Sequence, residues 1–198
     1  MATQAQRSSF TQSRLIEATT QLLAEQGYAA LGEARVCERA GVSRGALRHH
    51  YPKGRYDLLP LVVQALLDEE CRRLDELGPL TPKERLFVML NGFLLEPDRN
   101  STIAILEIWM ASRGDAKLTE STAEAFNGTI ERLFGHDASH PADAEEIALR
   151  CFLHGVTLHR FSVDYEQQRL ATAVRWMLGQ VQAPPRIAEL LAGWQANL

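Results

Sequence analysis

Between residues 43 and 55 the chain collects Arg44, Arg48, His49, His50, Lys53 and Arg55, and no acidic residue interrupts the run from Ser43 to Tyr56. Guanidinium, ammonium and imidazole groups donate to phosphate oxygens. Arg also donates in pairs to the acceptor edge of guanine. The hydroxyls of Ser43 and Tyr51 add two neutral donors to the same stretch. This set can hold a phosphate backbone and read base edges. We assign Arg44 and His49 to bases, and Ser43, Arg48, His50, Tyr51, Lys53 and Arg55 to phosphates.

Two short helices position these groups. A first helix is expected over 33–40, with Val36 and Ala40 on one face, and a second over 44–50, burying Leu47. Gly41 can take the positive φ that often ends a helix, and Ser43 can cap the next one through its hydroxyl. A short helix, a tight turn containing Gly and a second short helix make the helix-turn-helix arrangement, whose second helix enters the DNA major groove. A helix expected over 9–26, ended by Gly27, packs behind them and completes a three-helix head, with Tyr28 filling its core.

Residues 10–63 resemble the DNA-binding head of the tetracycline-repressor (TetR) family. The matching residues are Arg14-Leu15-Ile16-Glu17-Ala18, Gly27-Tyr28, Ala40-Gly41-Val42-Ser43-Arg44-Gly45, Leu47, His50-Tyr51, and Arg55 ahead of Leu58-Leu59. The family form differs at several positions. Leu31-Gly32 stand where Thr then Ser or Thr are usual, and Val36-Cys37 where Ile-Ala are usual. Ala46 has no hydroxyl to donate. Arg48 replaces a Tyr, so it brings a charged contact to a phosphate or reaches a base. The loop Pro52-Lys53-Gly54 is one residue longer than usual, which puts Arg55 in the place of a Lys.

Charge is distributed unevenly. Residues 1–60 hold 8 Lys or Arg against 5 Asp or Glu, and the remainder holds 13 against 20, for a net charge of −4. A basic head on an acidic body suits a protein that meets a polyanion at one end only. No apolar run approaches the ~18 residues needed to span a bilayer, and the N-terminus has no apolar signal core, so a cytoplasmic protein is expected. Cys37, Cys71 and Cys151 fall in apolar helical patterns and are expected as reduced core thiols.

The fold class is all-α, because no strand pattern is present. A long helix over 55–77 is expected to join the head to the body. Further helices follow from Thr81 to Pro97, over 100–113, from an Asp115 cap to Leu133, over 142–161, and from Asp164–Gln167 to Val181, with a last amphipathic one before the C-terminus. The head is taken as residues 1–54 and the ligand-binding and dimerisation body as 55–198. His136, Asp137, His140 and Asp143 cluster in a loop, but without dense ligand spacing they read as loop polarity. No metal and no cofactor is expected.

The resemblance also implies two functions for the body. The last two main helices of such proteins form a four-helix dimer interface, which here corresponds to Phe152, Gly155, Val156, His159, Val174, Met177 and Leu178. The middle helices hold an apolar pocket. Its walls here would be Phe87, Phe93, Trp109, Phe126 and Leu158, with Arg113 and His154 as polar anchors for a small, mostly apolar effector.

The resulting expectation is a homodimeric, ligand-responsive regulator, most simply a repressor, that binds a palindromic double-stranded operator. The alternative is a helical ligand-binding module whose head no longer binds DNA. An enzyme using Glu107 and His154 as an acid–base pair finds no nucleophile, phosphate loop or metal motif to support it.

Overall fold

The computed structural model describes residues 4–99 and 101–195, and these form helices, turns and loops without a strand. The helices are α1 (Gln4–Gln26), α2 (Glu33–Ala40), α3 (Arg44–His50), α4 (Arg55–Asp75), α5 (Pro82–Leu95), α6 (Ser101–Ser112), α7 (Ala116–Phe126), α8 (Thr129–Phe134), α9 (Ala144–His159), α10 (Gln167–Gln180) and α11 (Pro185–Gln195). A 3-10 turn, Tyr28–Ala30, lies between α1 and α2. None of the described helices is long and apolar enough to cross a membrane.

The chain divides into two compact units, residues 1–69 with 100–128, and residues 70–99 with 129–198. In the first, α1 packs against α2, α3 and α6, and α6 against α7. Leu15, Leu23, Leu47, Leu59, Ile108 and Leu118 are fully enclosed there. In the second, α5 is the central helix and meets α8, α9, α10 and α11. Its core contains Leu86, Phe87, Leu90, Leu149 and Val174. Helix α4 gives its residues 55–69 to the first unit and 70–75 to the second.

Helix boundaries follow local chemistry. Thr81 caps α5 in a reciprocal box with Glu84, and Asp143 does the same for α9 with Glu146. The single helix expected from Asp115 to Leu133 is instead two, because Gly128 takes φ +73° and separates α7 from α8. Four buried polar side chains are satisfied one turn back. Thr19 donates to the Leu15 carbonyl at 2.7 Å, Asn91 to Phe87 at 2.8 Å, Thr122 to Leu118 at 2.6 Å and Thr157 to Leu153 at 2.9 Å. Of the three cysteines only Cys37 is buried. Cys71 is half-buried and Cys151 exposed, so the expectation of three core thiols holds for one residue.

Candidate nucleic-acid interface

The α2–α3 pair is built by three local devices. Val36, Cys37 and Ala40 turn into the core of the first unit and hold α2 in place. Gly41 then adopts φ +61°. Its N–H donates to the Glu38 carbonyl at 3.1 Å, while Val42 N–H donates to Cys37 at 3.0 Å, closing the helix end. The Arg14 guanidinium occupies the space a Cβ at Gly41 would need. Ser43 starts α3, its Oγ accepting from Ala46 N–H at 3.1 Å. Leu47 is 1% exposed and anchors α3, which leaves Arg44, Arg48 and His49 on the outer face.

The eight residues expected to bind DNA separate into two groups. Arg44 and Lys53 are exposed, and neither side chain makes a hydrogen bond or ion pair among the described residues. His49 is exposed and meets His50 edge-on at 5.2 Å between ring centres. Together with the cap Ser43, these side chains form the surface that a polyanion can reach.

Three others are engaged within the chain. Arg48 Nε and Nη2 donate to the two oxygens of Glu33 at 3.0 and 2.6 Å, and Nη1 donates to the Pro52 carbonyl at 2.6 Å. Tyr51 is only 2% exposed, its hydroxyl is enclosed without a partner, and burial pushes its pKa up, so it is a core side chain and not a phosphate donor. Arg55 lies over the Tyr28 and Tyr56 rings at 5.2 and 5.1 Å, 3.6 Å from Asp115 Oδ2. Its hydrogen bond to Tyr56 Oη raises its pKa, and the side chain, 41% exposed, is engaged with these partners inside the first unit. Tyr28, expected in the core of the head, is half-buried and joins this cluster through Asp115.

Sequence reasoning missed Glu33, Tyr56 and Asp115 as partners of these cations. Asp115 was legible as a helix cap, and it does accept from Leu118 N–H at 3.1 Å. Its second role, and that of Glu33, are pairings across helices that no local spacing encodes. Asp57, by contrast, bonds locally from the first turn of α4, accepting from the Lys53 N–H of the preceding loop at 2.8 Å.

The seven expected pocket residues lie in both units. Trp109, Arg113 and Phe126 belong to the first, and Phe87, Phe93, His154 and Leu158 to the second. Phe87 is 1% exposed and packs in the core, whereas Trp109 and Leu158 are largely exposed. Burial, helped by Arg150, holds the His154 imidazole below the usual histidine pKa. The first unit contains a cleft of about 940 Å³ lined by His50, Tyr56, Leu61 and Lys117, and the second a cleft of about 290 Å³ lined by Leu74, Val88 and Leu95. None of the seven lines either cleft.

Of the expected interface residues, Val156 and Val174 are buried inside the chain at 3% and 0% exposure and present no area to a partner. Gly155 is exposed, while Phe152, His159, Met177 and Leu178 are half-buried. The exposed apolar side of α9 instead runs through Ile147, Cys151, Gly155 and Leu158, and α10 exposes Trp176.

Residues 15–60 match the family model described as bacterial regulatory proteins, tetR family. Among curated proteins, the HTH-type transcriptional regulator CymR of Pseudomonas putida is 52% identical over 135 residues. That match covers 66% of this chain and 63% of the relative, so the chain spans less than two thirds of its length. The uncharacterized HTH-type transcriptional regulator Mb2936c of Mycobacterium bovis is 30% identical over 146 residues, 73% of each chain. The fold is similar to that of a TetR-family regulator from Rhodococcus sp., with a TM-score of 0.62 at 18% identity, covering 87% of this chain and 99% of that one.

Proposed function

The chain belongs to the TetR family of bacterial regulatory proteins, and from that premise we propose that it is a cytoplasmic transcriptional regulator that binds double-stranded operator DNA through α3 and the loop after it. The observation that carries this reading is the outer face of α2–α3. Gly41 and the Ser43 cap set the turn, and Arg44, His49, His50 and Lys53 stand on one basic segment. Arg44 and His49 are the base-reading candidates. Lys53 and His50 are the phosphate contacts, with α3 lying in the major groove.

Residues 1–54 act as the DNA-binding portion and 55–198 as the regulatory portion. Two copies associate through the apolar side of α9 and Trp176 of α10, because a C2 dimer places two recognition helices about 34–36 Å apart on a palindromic site. An effector that is small, mostly apolar and polar at one end binds the regulatory portion. It changes DNA occupancy only as far as it prefers one arrangement of the chain over another. Repression relieved by effector is the simplest form of this regulation. Catalysis has no place in it. Glu107, the one acid considered for such a role, is already committed as acceptor of Tyr28 N–H at 2.8 Å.

One observation favours a second reading, a ligand-binding module without DNA affinity. Arg48 and Arg55, though part-exposed, are paired with acceptors of their own chain, so of the four Lys or Arg side chains in the segment only Arg44 and Lys53 have no hydrogen bond or ion pair among the described residues. Binding to a duplex of random sequence, followed by fluorescence anisotropy over a range of salt, separates the two. A DNA-binding head releases counterions, so log K falls linearly with log salt and both Arg44→Ala and Lys53→Ala flatten the slope. A carrier shows no binding at low salt.

A further inference from the structure

Glu33 is the first residue of α2, and the fold brings it onto a segment that has no acid of its own between Ser43 and Tyr56. Its carboxylate meets Arg48 side-on, oxygen to nitrogen at 3.0 and 2.6 Å. The third guanidinium nitrogen donates to Pro52 at 2.6 Å. Every nitrogen of Arg48 therefore has an acceptor from its own chain. Gly54 stands against the same carboxylate at φ +62°, where a Cβ would collide with it, so the loop is shaped around this pair.

We propose that Glu33 is an affinity-setting residue of the DNA-binding head, holding Arg48 as a closed ion pair and withholding one cation per head from the phosphate backbone. The inference rests on the DNA-binding reading above. A bidentate guanidinium–carboxylate pair is geometrically specific. For a phosphate to capture Arg48, it would have to leave Glu33 bare beside a polyanion, so repulsion opposes the exchange. The exposed N–H groups of the first turn of α2 also favour a carboxylate at that place. Arg48 then contributes to the shape of the head and not to its charge. The pair is half-exposed, at 52% and 31% of the two side chains, so screening by salt acts on it as on any surface pair.

The test uses the full chain and a random-sequence duplex of about 30 base pairs, because non-specific affinity is almost wholly phosphate-borne. Four proteins are compared by anisotropy between about 50 and 200 mM KCl: wild type, Glu33→Gln, Arg48→Ala and the double variant. Glu33→Gln is expected to bind roughly 3–10-fold tighter, with a log–log salt slope steeper by about 0.9 for each head engaged. Arg48→Ala is expected within about twofold of wild type with an unchanged slope, and the double variant is expected to lose the gain. A shallower slope for Arg48→Ala, or equal or weaker binding by folded Glu33→Gln, would overturn the proposal, since Arg48 would then already hold a phosphate. Should Glu33→Gln fail to fold in a thermal melt, the slope of Arg48→Ala decides alone. Absence of wild-type binding at low salt would remove the DNA-binding reading itself, and this inference with it.

Discussion

Tyr28 and Asp115 stand 87 residues apart in the chain, and the Tyr28 hydroxyl donates to Asp115 Oδ2 at 3.1 Å. Tyr56 donates to the same oxygen at 3.1 Å, and the Arg55 guanidinium lies over both rings. The N-cap of α7 is thereby tied to the turn after α1 and to the first residues of α4. Glu107 on α6 adds a bond to the Tyr28 backbone. Within the first unit this cluster joins the turn after α1 and the start of α4 to α6 and α7.

Asp115→Ala should therefore loosen more than one helix end. It removes the α7 cap and leaves two tyrosine hydroxyls and Arg55 without their shared acceptor. We expect Tm to fall by roughly 3–6 °C in a thermal melt followed by circular dichroism. A fall no larger than that of an exposed Glu120→Ala control would show that the cluster contributes nothing.

The same carboxylate sets a pH dependence. The Leu118 N–H, then the two tyrosine hydroxyls and Arg55, hold the Asp115 pKa below its ordinary 3.8. Its folded pKa is depressed, so its contribution is complete above 3.8 and is lost as pH falls through the lower folded value. The stability difference between wild type and Asp115→Asn should be constant near neutral pH and shrink in acid below that point. Tyr28 moves the other way. Burial first, and the bond to Asp115 next, push it up to about 12. Its stabilising contribution is present below 10 and is lost as pH rises toward 12. Ultraviolet titration should find its tyrosinate among the last to form.

Lys53 and Arg55, two residues apart, should behave differently toward DNA. Lys53→Ala should flatten the log–log salt slope by about 0.9 per head, since its ammonium faces outward. Arg55→Ala should leave that slope unchanged and lower thermal stability instead, because its guanidinium sits between two rings near Asp115. Equal slope changes for both would return Arg55 to the phosphate surface.

Gly41→Ala should destabilise the head by roughly 1–3 kcal/mol, through φ +61°, while the flexible end of Arg14 swings aside. Gly45→Ala, in ordinary helical backbone with only Ser43 Oγ nearby, should be close to neutral. Chemical denaturation of the two variants checks the contrast.

Leu158→Glu should separate the proposed dimer into monomers in sedimentation experiments, because Leu158 is 40% exposed on the apolar side of α9. Val174→Ala should lower Tm and leave association intact, since Val174 is fully enclosed within one chain. Dissociation by the second and not the first would place the interface on the opposite face.

The local features of this protein were legible in its sequence. Gly41, the Ser43 cap, the Thr81–Glu84 box and the Asp115 cap act over a few residues, and each lies where spacing put it. Gly128 was the exception. Apolar periodicity continued across it, yet Asn127 turns extended and Gly128 takes a positive φ, and α7 stops there. What spacing could not supply was the partner across space. Arg48 and Arg55 read as free cations because Glu33 and Asp115 are 15 and 60 residues away in the chain. The same limit explains Val156 and Val174. Their periodicity assigns them to an apolar face of a helix without telling whether that face meets its own core or another copy.

The most direct test of the central claim is selection from a pool of random duplexes by the purified chain, at low and at physiological salt, followed by sequencing of the retained DNA. A sequence-specific dimer should enrich an inverted repeat whose half-sites lie about one helical turn apart, and enrichment should sharpen as salt rises. Retention of no duplex at low salt, with or without cell extract as a source of effector, would contradict a DNA-binding regulator. It would leave the helical ligand-binding module in its place.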